Sequence, residues 1–198
     1  MERCLSQISF TKNIESMAER LIILSDLWGA KKGLWITSYL GYLQQYFDIT
    51  YYDTSQLAYL ENPGSKAEDL CRAFNEGGME RAIANLLARE KSPAHYLTFC
   101  AGGTVVWHAA KKGLPVKSLY AVSPMHMHRE SEQPEFQATL LYGEYMANRP
   151  SPNWALEVGV PMEIVPKFGR EMYSDEKIIQ KVCKDLLEES LRKQYERL

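Results

Sequence analysis

Ala94-His95-Tyr96-Leu97-Thr98-Phe99-Cys100-Ala101-Gly102-Gly103-Thr104-Val105-Val106-Trp107-His108-Ala109-Ala110-Lys111-Lys112 is the stretch that decides the fold. Tyr96 to Phe99 is a short apolar run of the kind a buried strand carries. Cys100-Ala101-Gly102-Gly103 follows without a linker. An alanine- and valine-rich helical pattern then runs to Gly113. Strand, abrupt small-residue turn and helix place residue 100 at the tip of a tight corner, the geometry in which a Ser or Cys is presented as a nucleophile.

Outward from that corner, apolar runs alternate with helical periodicity. Upstream, Leu21-Ile22-Ile23-Leu24 is a continuous apolar run that suits a strand buried on both faces. Residues 34 to 46 have helical spacing, Phe47 to Tyr52 reads as a strand, Ala67 to Phe74 as a short helix and Met79 to Glu90 as a clear one. A further edge strand is expected near Leu5 to Phe10. Downstream, strands are expected at Val116–Val122, Phe136–Tyr142 and Met162–Val165, with a short helix over Trp154–Val158. Ser174-Asp175-Glu176-Lys177 carries the signature of a helix start, with acids in the first turn of the last helix. This order predicts an α/β fold of three layers, α/β/α, around a mostly parallel sheet. Residues 1–198 read as a single domain.

Composition narrows the function classes. The chain has 198 residues, 45% apolar and 24% charged, with a formal net charge of −2. Scattered charge argues against a nucleic-acid partner or a membrane-surface patch. No apolar run reaches the roughly 20 residues a bilayer span needs. The start Met1-Glu2-Arg3-Cys4-Leu5-Ser6 has no apolar signal region, so a cytoplasmic location is expected. Cys4, Cys71, Cys100 and Cys183 are far apart and form no CxxC pair, so free thiols are expected and no metal or cofactor is implied.

The sequence resembles the α/β-hydrolase family over about residues 20 to 195. Thr98-Phe99-Cys100-Ala101-Gly102-Gly103 matches the family's nucleophile elbow, and its Cys is similar to that of the dienelactone hydrolase group. Ser25-Asp26-Leu27-Trp28-Gly29 stands where the family places its oxyanion loop. Tyr142-Gly143-Glu144 and the segment Phe168-Gly169-Arg170-Glu171-Met172-Tyr173-Ser174-Asp175 fall where two further family landmarks lie. The resemblance implies acyl transfer: a nucleophile attacks an ester or thioester carbonyl, a His takes its proton and an acid orients that His. It also implies an oxyanion hole built from the Ala101 N–H and one from Leu27 or Trp28.

The chain departs from that pattern at the partners. The acid position falls near Met146 or Ala147, with Glu144 slightly early. The His position is Arg170, which stays protonated and cannot act as a general base. Arg170 would instead hold an anion or pair with Glu171. Among the histidines, His95 precedes the elbow strand at the wrong end of the sheet and His108 lies two turns into the helix. His126 and His128 follow the neighbouring strand at the edge where open parallel sheets bind ligands. Either is a candidate base for Cys100, with Glu130 or Glu132 to orient it; the alternative is a pair of ordinary loop histidines. The two alone lack a third metal ligand. Trp28 would line an acyl pocket, Trp35 and Trp107 would be core, and Trp154 and Tyr145 would cap the site.

Two functional readings follow. One is a small ester or thioester hydrolase using Cys100 with His126 or His128. The other is an inactive, hydrolase-like protein that binds a small acyl or anionic ligand. Both call for a small-molecule partner.

Overall fold

The computed structural model describes residues 18–29, 34–60 and 66–195. The edge strand expected near Leu5 to Phe10 lies outside them. Six strands form one sheet: β1 (Glu19–Leu24), β2 (Phe47–Tyr52), β3 (Ala94–Phe99), β4 (Val116–Val122), β5 (Gln137–Gly143) and β6 (Met162–Val165). Their order is β2-β1-β3-β4-β5-β6, and every neighbouring pair is parallel. The helices are α1 (Trp35–Leu43), the turn-length α2 (Thr54–Leu57), α3 (Ala67–Ala73), α4 (Met79–Arg89), α5 (Ala101–Lys111), α6 (Pro152–Val158) and α7 (Glu176–Tyr195).

The layers follow from burial. Leu21 to Leu24 are fully buried, as are all six residues of β3 in pattern, because both faces of the central strands are covered. α1 and α7 pack together on one face, and α2, α4 and α5 on the other. The edge strands β2 and β6 are only partly buried.

Three local outcomes differ from the sequence expectations. The elbow helix begins at Ala101 rather than Gly103, directly at the corner. No loop separates α3 from α4: α3 ends at Ala73 and the chain kinks at Glu76–Gly77, with Gly77 at φ 108°, straight into α4. The last helix is capped by Asp175, not Ser174: the Asp175 Oδ1 accepts the Lys177 N–H at 2.9 Å. The Ser174 hydroxyl, exposed, donates to the Glu171 carbonyl at 2.8 Å.

The sheet order places the crevice. From β1 the chain moves to β2 on one side, then crosses over to β3 on the other. The carboxyl ends of β1 and β3 therefore meet at the point where the winding reverses, where open α/β sheets bind ligands. Cys100 follows β3 and Asp26 follows β1 at that point.

Candidate active site

Cys100 adopts φ 50°, ψ −117°, a conformation L-residues avoid, and its N–H donates to the Val122 carbonyl at 2.9 Å. Strain of this kind costs on the order of 1–3 kcal/mol and persists only where surrounding packing enforces it. Gly102 and Gly103 are part of that enforcement. A methyl on Gly102 would stand 2.8 Å from the Leu24 Cβ and 2.9 Å from the Ser25 carbonyl oxygen; one on Gly103 would stand 2.8 Å from the Pro124 Cβ. Only glycine lets α5 start this close to the ends of β1 and β4.

Beneath the corner lies an aromatic floor. The Trp35 ring sits 4.7 Å from Phe99 and 4.8 Å from Tyr173, and Tyr39 sits 4.8 Å from Phe99. This apolar bed buries Cys100, which is 6% exposed. Burial pushes its thiol up to about 12, with Arg170 pulling the other way and Asp26 adding to the rise. The Ala101 N–H also favours the thiolate, too weakly to offset burial. Cys100 therefore rests as a neutral thiol, despite its place at a helix N-terminus.

Asp26 is the residue that the sequence reading passed over. It lies in the Ser25–Gly29 segment, whose sequence points to backbone donors and to Trp28 as a pocket wall, not to a carboxylate partner. Its carboxylate is 2% exposed. Oδ1 accepts the Trp28 N–H at 3.1 Å and the Gly29 N–H at 2.9 Å; Oδ2 accepts the Tyr173 hydroxyl at 2.8 Å. Burial raises its pKa, and those three hydrogen bonds hold the rise back. The Trp28 N–H expected to serve an oxyanion is thus already committed to a carboxylate, and Leu27 is buried beside it. Burial and the neighbouring Asp26 hold the Tyr173 phenol far above its ordinary value. Tyr173 is 147 positions from Asp26 in sequence, so only the fold joins them.

Arg170, which the resemblance sets at the place of the family's His, lies at the start of a short turn over Arg170–Ser174. It is half-buried. Among the described residues it forms no hydrogen bond and no ion pair, so the pairing with Glu171 raised from the sequence is not formed. Its guanidinium acts on both Cys100 and His126. Its placement is set by a tight splice between the ends of β5 and β6. The Tyr145 N–H donates to the Phe168 carbonyl at 2.8 Å, and a methyl on Gly143 would stand 2.5 Å from the Phe168 and Gly169 oxygens. Glu144 belongs to this splice: its Oε2 accepts the Lys167 N–H at 2.8 Å. Met146 is buried in the core.

His126 and His128 lie where β4 ends, as expected. Their rings are 6.3 Å apart. His126 is half-buried in a left-handed conformation (φ 58°) and His128 is exposed. Burial lowers the His126 pKa, and Arg129, His128 and Arg170 lower it further. The acids expected to orient them point elsewhere. Glu130 accepts from Trp107 Nε1 at 3.1 Å and Lys111 at 2.9 Å, and His108 Nε2 lies 3.5 Å away. Glu132 pairs with Lys111 at 3.2 Å. Helix α5 takes both: Trp107 and Lys111 donate to Glu130, and Lys111 also pairs with Glu132.

The remaining expectations resolve simply. His95 is buried near the amino end of β3, its Nδ1 2.7 Å from the Ser118 hydroxyl. Trp107 is buried in the core, and the half-buried Trp35 packs against the core through Phe99 and Tyr173. Trp154 donates its ring N–H to the Glu130 carbonyl at 2.7 Å, while Tyr145 is 67% exposed and covers nothing. Among the described residues no group of three or more His, Cys, Asp or Glu could hold a metal, and no helix is long and apolar enough to cross a membrane.

No family model matches the sequence, and no curated protein matches it. Solved structures do match in fold. Est1E from Butyrivibrio proteoclasticus, solved with ferulic acid bound, superposes with a TM-score of 0.61 at 11% identity, over 91% of each chain. A proposed hydrolase of the alpha/beta superfamily from Xanthomonas campestris gives 0.61 at 13%, over 86% of this chain and 99% of that one. Naproxen esterase from Bacillus subtilis gives 0.56 at 10%, over 86% of this chain and 83% of that one. The parallel sheet with its strand order, the strained corner at Cys100 and these superpositions show that the chain has the α/β-hydrolase fold.

Proposed function

We propose that this chain uses the hydrolase framework to bind a small anionic ligand, a carboxylate or its like, at the corner formed by Cys100, His126 and Arg170, without hydrolysing esters. One observation carries the reading. Arg170, which the resemblance sets at the general base's place, carries a half-buried guanidinium with no hydrogen bond or ion pair to a side chain among the described residues. Such an Arg is well suited to a carboxylate, which it meets with two parallel hydrogen bonds. Cys100 as a neutral thiol adds bulk and a weak donor rather than a nucleophile.

The test is binding of benzoate by calorimetry, beside hydrolysis of p-nitrophenyl acetate. We expect benzoate to bind, Arg170→Gln to weaken it at least about tenfold, and ester hydrolysis to match that of Cys100→Ala. Hydrolysis that depends on Cys100 would overturn the non-catalytic part.

A second reading, turnover by Cys100 with His126 as base, is favoured by one feature: the strained backbone at residue 100 is the arrangement of an active nucleophile. Iodoacetamide labelling across pH decides it. A Cys100 alkylation midpoint near neutrality supports turnover; one far above the ordinary thiol range removes it.

A further inference from the structure

On the face of the sheet away from α5, α1 and α7 pack side by side and leave a groove of about 280 Å³ between them. Its walls are apolar and open to solvent: Tyr42 is 41% exposed, and Tyr46 and Leu191 are 52% exposed each. Half-buried Leu187 and buried Cys183 complete the apolar lining. The Tyr42 ring is held in place, its hydroxyl donating to Glu176 Oε1 at 2.9 Å. Rings and leucines gathered on one open surface mark a contact site.

The groove opens where the chain enters the sheet. Glu19, the first residue of β1, pairs with Phe47, which follows Tyr46. Its Oε2 accepts the Ser190 hydroxyl at 3.3 Å, and Leu191 follows Ser190. Residues 1–17 therefore join the described chain beside the end of the groove formed by Tyr46 and Leu191. Within that segment Phe10, Ile14 and Met17 recur at i, i+4 and i+7, an apolar stripe at helical spacing, with Lys12, Asn13 and Glu15 between them. At 1.5 Å per residue the stripe is about 10 Å long, and the groove wall from Gln180 to Leu191 roughly 16 Å.

We infer that residues 1–17 of the same chain cover this groove, with Phe10, Ile14 and Met17 seated between α1 and α7. Size favours that occupant over a second copy. Among the described residues nine line the groove, well short of the roughly 20–30 per side of a stable contact between two chains. A segment tethered at the groove's end needs no such area, because its attachment holds it at about millimolar effective concentration.

Photo-crosslinking of the full chain tests the contact, with p-benzoylphenylalanine in place of Ile14 and the adducts mapped by mass spectrometry. A mixture of ordinary and isotope-labelled protein separates bonds within a chain from bonds between chains. We expect adducts within the chain on Tyr42, Tyr46, Leu187 or Leu191. Adducts between chains would assign the groove to a second copy, and adducts elsewhere, or none, would detach the segment from it; each of these overturns the inference. Ile14→Asp, Leu191→Asp and the double variant give a readout free of the probe. Each single variant should lower the urea midpoint, and the double should lower it by less than the sum of the two; additive shifts would overturn the contact.

Discussion

At the scale of single residues, the corner is governed by desolvation. Asp26 and Cys100 are both buried, and burial raises both pKa values. For Asp26 the sign is definite. Its folded pKa exceeds its unfolded one, so the native state binds more protons and stability falls as pH rises from the ordinary carboxylate range through the raised value. Asp26→Asn removes that penalty and keeps an acceptor for the Trp28 and Gly29 N–H groups. We expect its melting temperature, measured at pH 4 and pH 8, to gain on the wild type as pH rises; an equal difference at both would refute the raised carboxyl. Arg170→His places a base where the resemblance implies one. A positioned base contributes about 10²-fold at the low end, and no acid stands at Met146 to orient it. We expect up to about a hundredfold more p-nitrophenyl acetate hydrolysis than wild type, lost again when Cys100→Ala is added.

At the scale of elements, the fold depends on close approaches that only glycine permits. Gly102→Ala places a methyl 2.8 Å from Leu24 Cβ, against a strand that cannot yield. Overpacking of this kind costs about 1–3 kcal/mol, read as a lower urea midpoint. Gly143→Ala meets two backbone oxygens at 2.5 Å and should cost more, because the splice that positions Arg170 must open. Calorimetry on that variant should show weaker benzoate binding even where the protein remains folded. These demands were partly visible in sequence. Gly102-Gly103 reads as an elbow turn from spacing alone, whereas Gly143 reads as a strand end within the Tyr142-Gly143-Glu144 landmark, with no sign of a close approach. Its need for a bare Cα comes from residues 168 and 169, which contact it through tertiary packing.

At the scale of the whole molecule, stability is graded from the centre of the sheet outward. β1, β3 and β4 are paired on both sides and buried, whereas β2 and β6 are half-buried edges. Hydrogen exchange should therefore be slowest in Leu21–Leu24 and Tyr96–Phe99 and markedly faster in Met162–Val165; uniform protection across the sheet would contradict this. The strand and helix order, the parallel sheet and the corner at Cys100 were legible in the sequence, because apolar period, small-residue turns and chain order are local quantities that a buried parallel sheet imposes directly. What only the tertiary structure decided is how the charges are shared. Glu130 serves α5 instead of the histidines, Glu144 braces the turn before Arg170, and Asp26 is joined to Tyr173 across 147 positions. The partners of a polar side chain depend on which distant donors come within about 3 Å and how much water is excluded there, and neither is written in local sequence.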